Sequence, residues 1–101
     1  MSAAQISDID EVIHGRMRLG IMAYLSGVHE ADFNALKARL QASDGNLSIH
    51  LRKLEEAGYI TLDKSFRERK PLTRARLTEQ GREAYIAYLD TLRAVIGEGS
   101  V

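Results

Sequence analysis

Apolar side chains recur every three or four positions along three stretches of the first half of the chain, a spacing typical of helices with one buried face. The pattern predicts helices over residues 7–25, 31–39 and 44–57. Residues 28–29 are predicted to form a short strand between the first two helices. The third helix is expected to stop at Gly58, because glycine readily adopts the left-handed backbone that ends a helix.

The spacing of apolar residues changes after Gly58 from about 3.6 residues to two, which indicates β-strands. Alternating side chains predict a strand over 59–64 and a returning strand over 73–77, joined by a charged loop over 66–71. These segments together predict a β-hairpin with a long basic tip. Pro71, the only proline of the chain, lies near that tip, where it would interrupt no central hydrogen-bond ladder.

A last helix is predicted over 79–96, with Thr78 placed to accept a hydrogen bond from its first turn. Residues 98–101 are predicted to be a frayed tail. Residues 1–97 are predicted to be a single domain, since a chain of 101 residues leaves no room for two cores. The expected fold class is mostly α with a small β-hairpin (α+β), in the order helix, short strand, two helices, hairpin and helix.

Composition narrows the classes of function. Apolar residues make up 45% and charged residues 28% of the chain, as in an ordinary globular protein. There is no cysteine, which excludes a disulfide framework, a thiolate nucleophile and a cysteine-based metal site. The first residues lack the pattern of a signal peptide, and no stretch approaches the roughly 20 apolar residues of a membrane span, so we expect a cytoplasmic protein.

Charge is distributed unevenly along a chain whose formal net charge is zero. Residues 1–32 carry two basic and five acidic side chains, whereas residues 64–76 carry six basic side chains and one acidic side chain. The predicted hairpin is therefore strongly basic. A concentrated basic patch is the electrostatic footprint expected of a protein that binds nucleic acid.

Two short helices joined by a tight turn, followed directly by a basic hairpin, have the order of a helix-turn-helix with a wing. Three further stretches of the sequence carry a resemblance to a known family. The first is residues 44–60, with the spacing of Ser48, His50, Leu51, Leu54 and Gly58. The others are residues 64–71 and the group Leu77, Thr78 and Gly81. With these features the chain resembles, over about residues 12–92, the short single-domain winged-helix regulators related to the MarR and ArsR families. The resemblance implies a homodimer that binds double-stranded DNA as a transcriptional regulator, with repression as the expected effect.

The third predicted helix is the expected recognition helix, which a helix-turn-helix places in the major groove. When its leucines face the core, the opposite face carries side chains that can read base edges. Asn46 can pair with adenine, and Arg52 or Lys53 can reach guanine or a phosphate. The candidate DNA-binding residues of this helix are Gly45, Asn46, Ser48, Ile49, His50, Arg52 and Lys53.

Two of these residues, Ile49 and His50, leave alternatives open. Ile49 on the outward face favours a contact with a thymine methyl group, although single apolar residues on protein surfaces are common. In the families that this chain resembles, the positions of Ser48 and His50 commonly help to dock the helix on the DNA backbone. His50 could equally be a hydrogen-bonded structural histidine.

Basic side chains of the predicted hairpin are the expected phosphate and minor-groove contacts of the wing. They are Lys64, Arg67, Arg69, Lys70, Arg74 and Arg76. The alternative is a charged loop surrounded only by water, but a position directly behind a helix-turn-helix favours DNA. Phe66, beside the tip, is expected to pack under the wing rather than to wedge against DNA.

Apolar side chains near the two ends of the chain exceed what a core of this size needs, which favours a two-fold dimer interface. The candidate interface residues are Ile6, Ile9, Ile13, Tyr85, Tyr88, Leu92 and Ile96. The alternative is that these side chains only cover the core of their own chain. The sequence does not identify a small-molecule effector.

No cofactor and no metal site are predicted. His14, His29 and His50 fall on different predicted elements, and no pair has the spacing of two ligands on one helix. The sequence also lacks a phosphate-binding glycine loop and a nucleophile elbow, so we expect no enzymatic activity. The alternatives to a DNA-binding dimer are a winged helix that binds another protein, or a regulator that senses a ligand at its dimer interface.

Overall fold

The computed structural model describes residues 4–99. After a single 3-10 turn at Ile6–Asp8, the elements follow in the order α1 (Arg16–Ser26), β1 (Ala31–Asp32), α2 (Phe33–Leu40), α3 (Asp44–Glu56), β2 (Ile60–Arg67), β3 (Lys70–Leu77) and α4 (Glu79–Gly99). The strands form one antiparallel sheet in the order β1-β3-β2. The predicted α+β fold, a winged helix-turn-helix, is confirmed.

The first helix is shorter than predicted, because the chain turns before it. The Asp10 side chain accepts hydrogen bonds from the backbone N–H groups of Val12 (2.8 Å) and Ile13 (3.3 Å), which fixes a turn in place of a helix. Gly15 then adopts a φ of 151°, which other residues rarely reach, and α1 begins at the next residue. The prediction of one helix over 7–25 is therefore wrong. Its apolar spacing before Gly15 reflects the docking of this turn, with Ile13 fully buried.

Strand β1 occupies two residues that were predicted to belong to the second helix. Ala31 pairs with Ala75 of β3, and the neighbouring Asp32 caps α2 by accepting the Ala35 N–H on Oδ1 (2.7 Å). Helix α2 therefore begins at residue 33. Residues 28–29, predicted to be the strand, lie before β1 in a bend. A short strand is present, but its predicted position is wrong. Its position is set by pairing with β3, a contact that the local sequence does not show.

Helix α3 begins where the sequence predicts. Gln41, with a left-handed φ of 52°, ends α2, and Ser43 Oγ accepts the Asn46 N–H (3.2 Å) to cap α3. An ion pair between Lys37 Nζ and Asp44 Oδ1 (2.6 Å) joins the two helices across this turn. Both side chains of that pair are exposed enough for water to screen it, so the caps are the main local determinants of the turn.

The wing is a continuous hairpin rather than two strands joined by a long loop. Strands β2 and β3 pair along their whole length up to Arg67 and Lys70. Only Glu68 and Arg69 form the turn, with left-handed φ values of 53° and 68°. Two left-handed residues match the twist of a tight hairpin. The predicted loop over 66–71 is therefore wrong, because neither turn residue is a glycine that would have marked so short a turn.

Pro71 lies within β3 without breaking the sheet. It pairs with Phe66, one position beyond the pair that closes the turn. Because paired positions of an antiparallel ladder alternate between hydrogen-bonded and non-hydrogen-bonded sites, Pro71 needs no N–H toward β2. On its other side β3 meets β1 only at Arg74 and Ala75. The proline therefore stands where the ladder requires no donor.

Helix α4 is capped as the sequence predicts. Thr78 Oγ1 accepts the Gly81 N–H (2.9 Å) and donates to the Gly58 carbonyl (2.6 Å), which joins the start of α4 to the end of α3. The helix runs to residue 99, past its predicted end at 96. Residues 100–101 of the predicted tail lie outside the described residues.

The core lies between the helices and the inner face of the sheet. Its buried side chains are Ile13, Ile21, Met22, Leu25, Ala31, Leu36, Leu47, Leu51, Leu54, Ile60, Ala75, Leu77 and Tyr88. The helices and the sheet thus share one core, which fixes the orientation of α3 relative to the wing. Over residues 4–99, no helix is both long and apolar enough to cross a membrane.

Candidate nucleic-acid interface

Helix α3 has one buried face and one accessible face. Leu47, Leu51 and Leu54 are buried, as the sequence predicts. The exposed residues on the other side are Gly45, Asn46, Ser48, Ile49, Arg52 and Lys53. Ile49 is 53% exposed, and neither Arg52 nor Lys53 forms an ion pair with another residue of the described chain. The face predicted to read DNA is therefore free to do so.

His50 is the half-buried candidate on α3, and Arg18 of α1 holds it. Arg18 Nη1 donates to His50 Nδ1 (3.0 Å), and because a guanidinium can only donate, Nδ1 carries no proton. The proton of the neutral ring therefore sits on Nε2. Burial first, and then the charges of Arg18 and Lys53, lower the pKa of His50. His50 thus forms a structural hydrogen bond, the alternative that the sequence allowed for it. Its ring is neutral at pH 7.

Arg18 links α3 to the turn that precedes α1. Besides His50, its guanidinium reaches the backbone carbonyls of Val12 (Nε, 2.5 Å) and Glu11 (Nη2, 3.5 Å). Sequence reasoning missed Arg18, because its partner on α3 is 32 positions away. The only sequence feature that could have indicated its role is the position of an arginine within a predicted helix of apolar spacing. Arg18 therefore positions a candidate DNA-binding residue without being one of the predicted contacts.

A second hydrogen bond ties the same turn to the end of α3. Tyr59 Oη donates to Asp10 Oδ2 (2.5 Å). Burial, followed by the hydrogen bond and the charge of Asp10, raises the pKa of Tyr59 to about 12, so the hydroxyl keeps its proton. The N-terminal turn is thereby fastened to the middle of α3 through Arg18 and to the residues after it through Tyr59.

Cross-strand pairing assigns each wing residue to one of two faces, because paired residues project to the same side and successive residues alternate. Leu62 pairs with the buried Ala75, which identifies the inner face. Beyond them on this inner face lie Lys64, Phe66, Pro71 and Thr73. The outer face carries Arg67, Lys70, Arg74 and Arg76. The basic side chains that the sequence grouped into one surface are therefore divided between two faces and the turn residue Arg69.

One of these cations is already paired. Arg74 Nε lies 3.3 Å from Glu30 Oε2, and both side chains are partly exposed. The other five wing cations form no ion pair within residues 4–99. Arg74 is therefore the wing cation with the least free charge to offer an anionic ligand.

A cleft separates α3 from the inner face of the wing. Ser48, Arg52 and Glu55 line it from α3, and Lys64 and Thr73 line it from the hairpin. Arg52 and Lys64 thus supply positive charge from both walls of the same cleft. Long anionic polymers such as DNA bind to surfaces of this kind.

A family model for the winged helix DNA-binding domain matches residues 17–96. The chain belongs to this family. An uncharacterized protein of Methanocaldococcus jannaschii is 37% identical to it over 79 residues, which are 78% of this chain and 86% of that protein. The predicted DNA-binding domain is therefore confirmed at the level of the family.

Solved structures of transcriptional regulators share the winged helix fold. A transcriptional regulator homologue from Pyrococcus horikoshii OT3 is 32% identical, with a TM-score of 0.83 and 91% of each chain covered. A possible transcriptional regulator for arsenical resistance is also 32% identical, with a TM-score of 0.66 over 82% of this chain and 81% of that one. A MarR-family regulator from Silicibacter pomeroyi has the same fold at 20% identity, with a TM-score of 0.65 over 82% of this chain and 55% of its own. The resemblance to these regulators is confirmed.

Phe66 does not pack under the wing of this winged helix domain. Its side chain is 76% exposed. The expectation is wrong because the hairpin is longer than predicted, so that the inner face at Phe66 extends past the helices that cover it farther back. Phe66 is an accessible aromatic ring beside the basic tip.

The predicted dimer residues of the winged helix separate into two groups. Ile13 and Tyr88 are buried in the core of their own chain, so they have no surface left for a partner and are corrected to core residues. Tyr88 Oη also forms a hydrogen bond with His14 Nδ1 (2.8 Å). The remaining candidates are exposed or half-buried; they are Ile6, Ile9, Tyr85, Leu92 and Ile96.

No cluster of three or more histidine, aspartate or glutamate side chains within residues 4–99 could hold a metal ion. The accessible polar groups of α3 and of the wing are suited to nucleic-acid contacts instead. They comprise amide, hydroxyl and guanidinium groups that donate to base edges and phosphates.

Replacing Arg18 with methionine tests its positioning role. Methionine keeps an aliphatic stem but removes every donor, so we expect the pKa of His50 to rise and the free energy of unfolding to fall by about 2 kcal/mol. NMR titration of the His50 ring and thermal unfolding measure the two effects. Arg16→Met, an exposed position on the same helix, is the matched control and should change neither quantity. An unchanged His50 pKa in Arg18→Met would contradict the hydrogen bond.

Proposed function

We propose that the protein is a homodimeric transcriptional repressor that binds double-stranded DNA sequence-specifically, with residues 1–97 acting as one DNA-binding domain. The observation that carries the proposal is the accessible face of α3 standing beside a basic wing, with a cleft between them that has a cation on each wall. In this arrangement α3 occupies the major groove, and the wing contacts the backbone and the adjacent minor groove.

Base recognition is assigned to the N-terminal and middle turns of α3. Asn46 is suited to a bidentate pair with adenine, Arg52 or Lys53 to guanine, and Ile49 to a thymine methyl group. Gly45 lets the backbone of the first turn approach the DNA, since nothing lies within 4 Å of the position of its missing Cβ. Ser48 and His50 are assigned to phosphate contacts, which position the helix without specifying the sequence.

The wing contributes affinity that does not depend on sequence. Lys64 shares the cleft with Arg52 and is placed to contact the phosphates that separate the two grooves. Arg67, Arg69 and Lys70 surround the tip, where guanidinium and ammonium groups can follow the edges of a narrow minor groove. Arg76 and the Glu30-paired Arg74 lie farther from the tip on the outer face and are assigned weaker, longer-range contributions.

Dimerisation through α4 and the N-terminal residues is supported by the surface that they expose. Helix α4 packs mainly against α1 and is about 31 Å long. Ile96 near its end is 61% exposed and Ile6 is 76% exposed. Two-fold dimers are the commonest oligomers, and a second copy would cover these side chains. Repression then needs only that the bound dimer occupies its operator.

The proposal is tested by selecting duplexes from a random pool with the wild-type protein and with Ile49→Ala, at several salt concentrations. We expect wild type to enrich two inverted half-sites about 10 base pairs apart, with binding that weakens steeply with salt. Ile49→Ala should lose a thymine preference within each half-site and bind the wild-type operator more weakly by about 1 kcal/mol, with random duplexes unaffected. Ile86→Ala, at an equally exposed isoleucine of α4, is the matched control and should leave the preference unchanged.

Other outcomes would overturn parts of the proposal. Enrichment of isolated half-sites would exclude the dimer and leave DNA recognition in place. If no duplex is retained even at low salt, DNA binding itself is excluded, and the basic wing becomes a docking surface for an acidic protein. A preference unchanged by Ile49→Ala would remove Ile49 from the base contacts.

A further inference from the structure

The tip of the wing presents an apolar pair on its inner face, next along the chain to basic residues that project from the outer face and the turn. Phe66 is 76% exposed, and its cross-strand partner Pro71 is exposed as well. No other aromatic side chain in the described part of the chain has so large an exposed fraction. Exposing an aromatic ring to water costs free energy that burial would recover, so this ring is suited to insertion into a partner.

The pair lies on the face of the wing that looks toward α3. Pairing places Phe66 and Pro71 on the same side as Lys64 and Thr73, which line the cleft beside Arg52. From the cleft to the tip, one face of the domain therefore carries a base-reading helix, then a cation, then an aromatic ring. Phe66 therefore lies on the same face as the hairpin wall of the cleft, two positions closer to the tip than Lys64.

The reach of the wing matches the spacing of DNA grooves. Phe66 is four positions beyond Leu62, which also lines the cleft, so the ring lies about 13 Å farther along β2. Neighbouring major and minor grooves of B-DNA are about 17 Å apart along the axis, half of the roughly 34 Å turn. With α3 in a major groove, the tip therefore reaches the minor groove next to it.

The charge at the tip also favours DNA as the partner. Arg67, Arg69 and Lys70 stand within three positions of the ring or directly across the turn, and they form no ion pair within residues 4–99. Arg67 and Lys70 project from the outer face and Arg69 from the turn, so they can contact phosphates at the tip while the ring on the inner face enters the groove. An apolar protein partner would leave these charges unneutralised, whereas the phosphates of DNA neutralise them.

We propose that Phe66 is a DNA-wedging residue, which the wing inserts into the minor groove beside each half-site, backed by Pro71. This inference rests on the proposed DNA-binding function. The ring partly unstacks one base step and kinks the duplex, as inserted apolar side chains do. Flexible pyrimidine–purine steps unstack at the lowest cost, so Phe66 creates a preference for such a step at a position that no polar side chain reads.

The test compares wild type, Phe66→Ala and Phe66→Leu on the duplex that wild type enriches from the random pool. The duplex carries a fluorophore at each end to report bending by energy transfer, and 2-aminopurine at the candidate step to report unstacking. We expect Phe66→Ala to bind on the order of 10-fold more weakly, with less bending and no rise in 2-aminopurine fluorescence. Phe66→Leu, which keeps an apolar wedge, should retain most of both signals.

Charge and stability provide the controls. Because alanine at this position removes no charge, the dependence of binding on salt should stay as in wild type, and unfolding should be unchanged because the ring is outside the core. If Phe66→Ala bends and unstacks the duplex as wild type does, the proposed regulator function is unaffected and the wedge proposal is contradicted. A lower mass of Phe66→Ala in sedimentation overturns it too, since the ring would then join two copies. If wild type enriches no duplex, the proposed function fails instead.

Discussion

Gly81→Ala is expected to lower the free energy of unfolding by about 3 kcal/mol, because helix α4 starts against the backbone of Tyr59. A Cβ at this position would lie 2.0 Å from the Tyr59 carbonyl oxygen and under 3.0 Å from two more atoms of that backbone. No rotamer relieves such a contact. Either α4 or the end of α3 must move, and the hydrogen bond from the Thr78 N–H to the Tyr59 carbonyl (3.0 Å) would be strained or broken.

Thermal unfolding at one fixed protein concentration measures this effect, with an expected drop of about 15 °C in Tm. Gly45→Ala is the matched control: it sits in the first turn of α3, and nothing lies within 4 Å of its missing Cβ. Alanine there should raise the free energy of unfolding by up to about 1 kcal/mol, since it favours the helix. A Gly81→Ala variant as stable as wild type would mean that the approach of α4 to Tyr59 is not rigid.

Removing two cations from the wing tip is expected to weaken DNA binding by about 2 kcal/mol, or roughly 30-fold, in Arg67→Ala/Arg69→Ala. The loss should be equal for the selected operator and for random duplexes, because phosphate contacts carry no sequence information. The slope of log affinity against log salt should fall by about 2 per protomer, one unit for each lost contact. Binding isotherms at four or more salt concentrations measure both quantities.

Arg82→Ala/Arg93→Ala is the matched control for this variant. It removes the same charge from exposed positions of α4 that neither line the cleft nor belong to the wing. We expect a small change in affinity and an unchanged salt slope. A wing variant with the wild-type slope would contradict phosphate contacts at the tip, and a loss confined to the operator would assign these arginines to base reading.

Local features of the fold were accessible from the sequence. The spacing of Leu47, Leu51 and Leu54 fixes which face of α3 is buried, and the cap Thr78 marks where α4 begins. Each of these signals depends on residues within four positions of one another, where helix geometry alone decides the contact. The position of α3 and its outward residues could therefore be predicted before the fold was known.

The N-terminal and wing predictions failed where local spacing had more than one explanation. Ile9, Val12 and Ile13 have helical spacing, but the Asp10 side chain and Gly15 fix a turn that docks them instead. In the wing, a two-residue turn of Glu68 and Arg69 lacks the glycine or asparagine that usually marks one. Because a loop was predicted there, the longer hairpin and the exposure of Phe66 near its tip were not predicted from the sequence.

The sequence by itself determined the order of the elements, the buried face of α3, the basic character of the wing and the resemblance to winged-helix regulators. Only the tertiary structure decided which side chains meet across the molecule: Arg18 with His50, Asp10 with Tyr59 and His14 with Tyr88, separated by 32, 49 and 74 positions. It also divided the wing cations between two faces and left Phe66 in solvent. The physical reason is range, since propensities and caps act along a few residues of chain, whereas these contacts exist only after the shared core has fixed the helices and the hairpin relative to one another.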